Sequence, residues 1–321
     1  MKAIRFETPG APDVMQLVDI TVGAPGPGEA RVRHTAIGVN FIDTYHRSGL
    51  YPMPLPAGLG MEAAGVVEAV GEGVTHVAPG DRIVYFSSST GAYATHRMMD
   101  ASWLVKLPDT ISDETAAALW LKACTVEFLV ERCARVKPGD TVLVPAAAGG
   151  VGILLCQWLK AAGATVIGTV GSDDKIGAAR EAGCDYVLAY ADAPDKVREI
   201  TGGKGVDVVI DGVGKSTFES SLSSLRKRGL LIGFGNASGP VGAIDFAILA
   251  MKGSLFATRP TLFDYYATPQ DFAEGTKAVF ARIAAGVLKP LVGQTFALAD
   301  AVQCHKALEA RQTKGSSLLI P

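Results

Sequence analysis

The chain is 321 residues long, 48% hydrophobic and 19% charged, which provides for two globular domains and excludes a disordered protein. Lys and Arg number 30 against 32 Asp and Glu, and the net charge of −2 gives no electrostatic case for nucleic acid or an anionic membrane. Glycine is the outlier at 37 residues, 19 of them between Gly139 and Gly242, a concentration that signals backbone approaching something closely.

Residues 1 to about 122 read as short strands between turns: Lys2–Phe6, Glu29–Ala36, Gly65–Val70, Asp81–Phe86 and Ala92–Met98. Punctuation falls at Pro25-Gly-Pro-Gly28, Val70-Gly-Glu-Gly73 and Pro79-Gly-Asp81. Asn40 and Asp43 stand at the N-cap and N3 spacing of a helix start.

From about residue 123 short apolar runs alternate with helical patterns. The runs are Thr141–Val144, Thr165–Val170, Asp185–Tyr190, Val206–Ile210, Leu230–Phe234 and Ser254–Ala257. Between them lie Ile153–Ala162, Asp174–Ala182, Pro194–Ile200, Ser216–Leu225 and Ile244–Met251. Nearly continuous Val, Ile and Leu suits parallel strands buried on both faces, so the fold class is α/β with a doubly wound parallel sheet. After about residue 265 the alternation stops. Phe272–Ala285 reads as a helix, and Asp300 is placed to cap another through Ala310, with Ala301, Cys304, His305 and Leu308 on one face. Ser317–Ile320 reads as a last strand.

The five cysteines are scattered and none forms CxxC, which argues against a disulfide framework and for the cytoplasm. The five histidines form no metal-binding pair. The N-terminus carries charges where a signal peptide needs an apolar run. Thr141–Leu159 has no formal charge, yet Pro145, Gly149, Gly150 and Gly152 make it a strand, a turn and a helix rather than a membrane span.

That turn, Leu143-Val-Pro-Ala-Ala-Ala-Gly-Gly-Val-Gly152, is a variant of the GxGxxG dinucleotide fingerprint, with Ala147, Gly149 and Gly152 in the three small positions. Small residues there admit a pyrophosphate onto a helix N-terminus. The alternative is a tight turn that only packs helix on strand. The second strand ends Gly168-Thr-Val-Gly-Ser172 without the acid that binds a ribose 2′-OH, and Lys175 follows, which suits the 2′-phosphate of NADPH. Asp173 and Asp174 would oppose a phosphate if they pointed inward; their other reading is a helix start.

Taken together, Ala36-Ile-Gly-Val-Asn-Phe-Ile-Asp-Thr-Tyr45, Arg47-Ser-Gly-Leu-Tyr-Pro52, Ala146-Ala-Ala-Gly-Gly-Val-Gly152, Gly168-Thr-Val-Gly171, Phe234-Gly-Asn236 and Gly315-Ser-Ser-Leu-Leu-Ile-Pro321 resemble the zinc-free quinone oxidoreductases of the medium-chain dehydrogenase/reductase superfamily, the zeta-crystallin group. The resemblance implies a GroES-like β domain of residues 1–122 and 266–321, interrupted by a Rossmann domain of residues 123–265. It implies a homodimer, with Ser254–Ala257 at the joining edge. Zinc-dependent members of the superfamily place a Cys ligand where this chain has Asn40 and a His where it has Met61, and carry a four-Cys zinc lobe near residues 85–100, where no cysteine occurs here. An amide and a thioether do not hold catalytic zinc.

Position by position, the resemblance puts Phe41 to Tyr45 and Thr125 near the nicotinamide. It puts Gly150 and Val151 at the pyrophosphate, between the fingerprint glycines Gly149 and Gly152, and Phe234, Gly235 and Asn236 at the nicotinamide ribose and ring. Ser172, Lys175, Tyr190 and Arg311 would surround the 2′-phosphate. For substrate and catalysis the candidates are Asn40, Tyr45 and Tyr51, as hydrogen-bond or proton donors to a quinone oxygen. Tyr51 reads equally as a loop anchor. Arg259 reads as a substrate contact or a surface ion pair. The expected activity is NADPH-dependent quinone reduction without a metal. Its rivals are an alkene or enoyl reductase of the same superfamily, and a non-catalytic NADPH-binding protein of the crystallin or RNA-binding kind.

Overall fold

Six strands make one parallel sheet. In order across it they are Tyr186–Ala189, Thr165–Val170, Thr141–Pro145, Val206–Asp211, Leu225–Gly233 and Phe256–Thr258. Every neighbouring pair is parallel. Numbered along the chain the order is 3-2-1-4-5-6, the Rossmann arrangement. Val142, Leu143, Val144, Val166, Ile167, Val209 and Ile210 are buried from both faces, the condition a parallel sheet imposes. The expected strands are present, with one early start: the fifth begins at Leu225 rather than Leu230.

The computed structural model describes all 321 residues, and its chain divides into Met1–Leu121 with Pro290–Pro321, and Lys122–Lys289. The chain therefore returns to the first unit at Pro290, not at residue 266. The helix Pro269–Ala284 stays with the second unit because its partners lie there. Tyr266, just before it, donates to Glu127 at 2.8 Å, and Gly275 leaves room for the Tyr266 phenol. Arg282 lies over the Trp158 ring and reaches Glu131 at 3.2 Å. Polar contacts across more than a hundred residues leave no periodic trace in a sequence.

The first unit is built on antiparallel strands. The long strand Glu29–Val39 pairs with Glu62–Val70, His96–Asp100 and Ser316–Ile320, all antiparallel. Val292–Ala297 lies parallel to Ser316–Ile320 at the edge. Ile4, Phe6, Val32, Ile37, Ile83, Tyr93 and Leu319 are among the residues of its core. The strand expected at Ala92–Met98 is displaced to His96–Asp100. Its first residues bond to the N-terminal strand instead, Ile4 N–H to Tyr93 O and Thr95 N–H to Lys2 O, both at 2.8 Å. The helix Ala301–Glu309 buries Ala301, Cys304 and His305 as the spacing predicts, but Asp300 at its N-cap makes no side-chain capping bond. Thr141–Leu159 is a strand, a turn and most of a helix, and no helix is long and apolar enough to cross a membrane.

Candidate active site

The fingerprint turn joins the strand Thr141–Pro145 to the helix Gly150–Ala161. The amides of Gly150, Val151 and Gly152 open this helix and have no carbonyl one turn back to bond, so they are donors for an anion. A Cβ on Gly152 would overlap the Ala146 carbonyl oxygen. Ala146 itself holds φ +57°, a left-handed conformation that costs a non-glycine residue about 1 kcal/mol. The turn is kept tight at that cost.

At the end of the second strand, Ser172 is exposed and Lys175 half-buried. The Ser172 hydroxyl donates to Asp174 Oδ1 at 2.5 Å, so Asp174 does more than start a helix: it engages a hydroxyl assigned to phosphate. A Cβ on Gly171 would stand 3.4 Å from Tyr190 Cε2, which sets the Tyr190 ring against the backbone leading into Ser172. Lys175 N–H donates to Ser172 O at 3.1 Å, so Ser172 has Lys175 on one side and Tyr190 near the residue before it.

Phe234, Gly235 and Asn236 follow the fifth strand. Phe234 N–H donates to Asp211 O at 2.8 Å, and a Cβ on Gly235 would overlap the Gly212 carbonyl. Two strand ends meet here in close backbone contact. Asp211 fixes its own turn: its buried carboxylate accepts from Val213 N–H at 2.7 Å, Thr217 Oγ1 at 2.7 Å and Ser221 Oγ at 2.8 Å. The signal for this corner is Asp211-Gly-Val-Gly214 at a strand end. Arg259 donates to Gly233 O at 2.8 Å, which places it beside Phe234. Thr125 lies near the end of the helix Asp113–Glu127, almost fully buried.

In the first unit the helix Phe41–Ser48 carries the remaining candidates. Asn40 is its N-cap and closes a capping box with Asp43, whose Oδ2 accepts the Asn40 N–H at 2.9 Å. The structural reading of that pair is therefore realised. The Asn40 amide also donates to Glu62 Oε1 at 2.7 Å. Phe41, Tyr45, His46 and Tyr51 form an aromatic cluster, with Tyr45 and Tyr51 edge to face at 5.2 Å between centroids. Tyr51 N–H donates to Tyr45 O at 3.1 Å, so Tyr51 is also anchored through its backbone.

Beneath that helix runs a buried polar chain. Tyr93 O–H donates to Asp43 Oδ2 at 2.9 Å, Tyr93 oxygen and His305 Nε2 are 3.0 Å apart, and Arg47 Nη1 reaches His305 Nδ1 at 3.2 Å. A guanidinium only donates, so Nδ1 carries the lone pair and Nε2 the hydrogen. Burial and the adjacent Arg47 push His305 down to about 3, which keeps it neutral in this role. Burial, then the Asp43 charge, holds the Tyr93 phenol well above its usual value. Arg47 also pairs with Glu309, at the end of the helix Ala301–Glu309. Arg311 stands just beyond, exposed, with φ +58° in a turn closed by Arg311 N–H to Leu308 O and Gln312 N–H to Ala307 O, both at 3.1 Å. Glycine favours that position, and an arginine occupies it. Nothing in the sequence marks Tyr93 or His305 as parts of this chain.

The residues do not fit a zinc centre. No three His, Cys, Asp or Glu side chains gather to hold a metal. At the positions of the zinc ligands the Asn40 amide is hydrogen-bonded to Glu62, and Met61 is a buried thioether. In the segment of the four-Cys lobe, Arg97 instead ties the loop together through Ser89 O at 2.9 Å and Thr90 O at 3.2 Å.

The strand order, the open amides of the fingerprint turn and the close-packed strand ends define a dinucleotide-binding oxidoreductase scaffold. Comparison with known proteins narrows the class. Residues 26–109 match the alcohol dehydrogenase GroES-like domain, and residues 150–277 match the zinc-binding dehydrogenase model. The chain is 51% identical to a quinone oxidoreductase of Salmonella typhimurium over 99% of both chains. It is 45% identical to a 2-haloacrylate reductase of a Burkholderia species, over 97% of this chain and 96% of that one. The crystal structure of Escherichia coli quinone oxidoreductase complexed with NADPH superposes with a TM-score of 0.98 at 48% identity, over all of both chains. The protein belongs to the quinone oxidoreductase family of the medium-chain dehydrogenase/reductase superfamily.

Proposed function

We propose that the protein reduces quinones with NADPH and without a metal. The observation that carries this reading is the glycine turn with its open helix amides, set in a chain similar from end to end to a quinone oxidoreductase crystallised with NADPH. Bound NADPH would supply the hydride. Gly149 to Gly152 would hold its pyrophosphate through backbone N–H groups, and Phe234 to Asn236 its nicotinamide end with Thr125, Phe41 and Tyr45. Ser172, Lys175, Tyr190 and Arg311 would take the 2′-phosphate and favour NADPH over NADH, once Ser172 is released from Asp174. Asn40 would donate to the quinone oxygen as charge builds there, with Tyr45 and Tyr51 walling the quinone or supplying a proton. Arg259, tethered to Gly233 through Nη1, would reach substrate through its other guanidinium N–H groups.

The test is NADPH oxidation with 1,4-naphthoquinone and, in parallel, with trans-2-alkenals. Fast turnover of the quinone is expected; negligible quinone turnover overturns the reading. The 45% identity to a 2-haloacrylate reductase favours one second reading, an alkene reductase, for which the alkenals would be the better substrates. Tight NADPH binding with neither activity would leave a binding protein.

We place the protein in the cytoplasm as a homodimer with no nucleic-acid role. The dimer is supported by the edge strand Phe256–Thr258, where Phe256 is 62% exposed and nearby Met251 and Phe246 are 77% and 81% exposed. Light scattering at the mass of one chain would rule it out.

A further inference from the structure

We propose that Glu62 is the positioning residue that makes Asn40 a hydrogen-bond donor toward the substrate, an assignment that rests on the reading of Asn40 given above. Glu62 is fully buried. Its Oε1 accepts from Asn40 Nδ2 and its Oε2 from the Leu121 N–H, each at 2.7 Å. The backbone makes room for it: Gly38 lies opposite Glu62 in the antiparallel register, and a Cβ on Gly38 would overlap both Glu62 Oε1 and the Ala117 carbonyl. Burying a carboxyl group is unfavourable unless its hydrogen bonds are made, and an apolar side chain would fill the space without that cost. What the carboxyl group adds toward Asn40 is direction.

Both Glu62 oxygens accept, so Asn40 has to turn its Nδ2 toward Oε1 and keep Oδ1 away from it. The Asn40 backbone is fixed independently by the Asp43 carboxylate. With position and rotation both set, the second Nδ2 hydrogen is the donor the side chain has left to offer. Hydride addition to a quinone builds negative charge on a carbonyl oxygen, and a donor already aimed there stabilises the transition state more than the ground state. An amide turned the other way would present a lone pair to that charge.

The experiment uses the full-length protein with NADPH and 1,4-naphthoquinone, and follows kcat, both KM values and Tm. Glu62→Gln should lower kcat by about tenfold and leave the KM for NADPH within about twofold. Asn40→Asp combined with Glu62→Gln tests direction separately from contact. In that pair the glutamine still accepts from Leu121 N–H and now donates to the carboxylate at position 40, so the contact is rebuilt with inverted polarity. The double variant should recover Tm and keep the low kcat. Recovery of kcat together with Tm would show that the contact is merely structural and overturn the proposal, as would an unchanged kcat in Glu62→Gln. Asn40→Ala separates the two levels: full quinone turnover there removes the role of Asn40 and the proposal with it, whereas lost turnover supports Asn40 and leaves the decision to the inverted pair.

Discussion

Tyr93 donates its phenolic hydrogen to Oδ2 of Asp43 at 2.9 Å, the same oxygen that accepts the N–H of Asn40. One buried carboxylate thereby joins the start of the helix bearing Asn40, Phe41 and Tyr45 to a tyrosine of the core. His305 and Arg47 extend the chain to Glu309. Tyr93→Phe removes a donor from Asp43 and an acceptor from His305, both out of reach of water. The loss should cost about 1–3 kcal/mol of unfolding free energy, read by urea denaturation. Undiminished stability would mean that neither group depends on the phenol.

His305 is lowered from 6.5 to about 3 by burial and by Arg47, and burial lowers His34 to about 3 as well. The unfolded chain therefore takes up these protons first as pH falls. Their contribution is full above about pH 6.5 and is lost as pH drops toward 3, at about 1.4 kcal/mol per pH unit for each histidine. His305→Gln removes one of the two. Urea titrations between about pH 6 and 4 should show a shallower loss of stability in the variant than in the parent. Equal slopes would contradict the assignment.

Lys175→Ala should raise the KM for NADPH by about tenfold and leave that for NADH nearly unchanged, because only one of the two cofactors carries the 2′-phosphate. Equal effects on both would refute the assignment of this corner. Asp174→Ala acts in the opposite sense: it frees the Ser172 hydroxyl and removes a negative charge, so the KM for NADPH should fall.

Arg311→Gly separates backbone from side chain. Glycine relieves the positive φ of +58° but loosens the unfolded chain, so stability should stay level or rise by up to about 1 kcal/mol. The KM for NADPH should nevertheless rise and that for NADH should not. Destabilisation with no change in selectivity would make Arg311 a structural residue only.

Much of this was legible along the chain. The Rossmann strands were visible because parallel strands buried on both faces need unbroken apolar runs, and Thr165–Val170 matches its run end to end. The fingerprint at Gly149–Gly152 was visible because only small residues tolerate that approach of backbone to backbone. The helix Pro269–Ala284 was visible as a helix, but not as part of the second unit, since Arg282 on Trp158 and Tyr266 on Glu127 are contacts without a period. Tyr93, His305 and Glu62 were illegible as hydrogen-bond partners around the helix Phe41–Ser48 for the same reason.

The glycine excess, the absent acid after the second strand and the missing zinc donors are local facts, and the sequence alone showed in them a dinucleotide fingerprint and side chains that do not suit zinc. Local chemistry is written in neighbouring residues, so it survives in one dimension. Only the tertiary structure decided that Asp174 occupies the Ser172 hydroxyl, that Arg311 sits in a left-handed turn, and that a buried glutamate accepts from the Asn40 amide. Those outcomes depend on which distant atoms share a buried volume, where every donor and acceptor has to be matched and no spacing along the chain records the match.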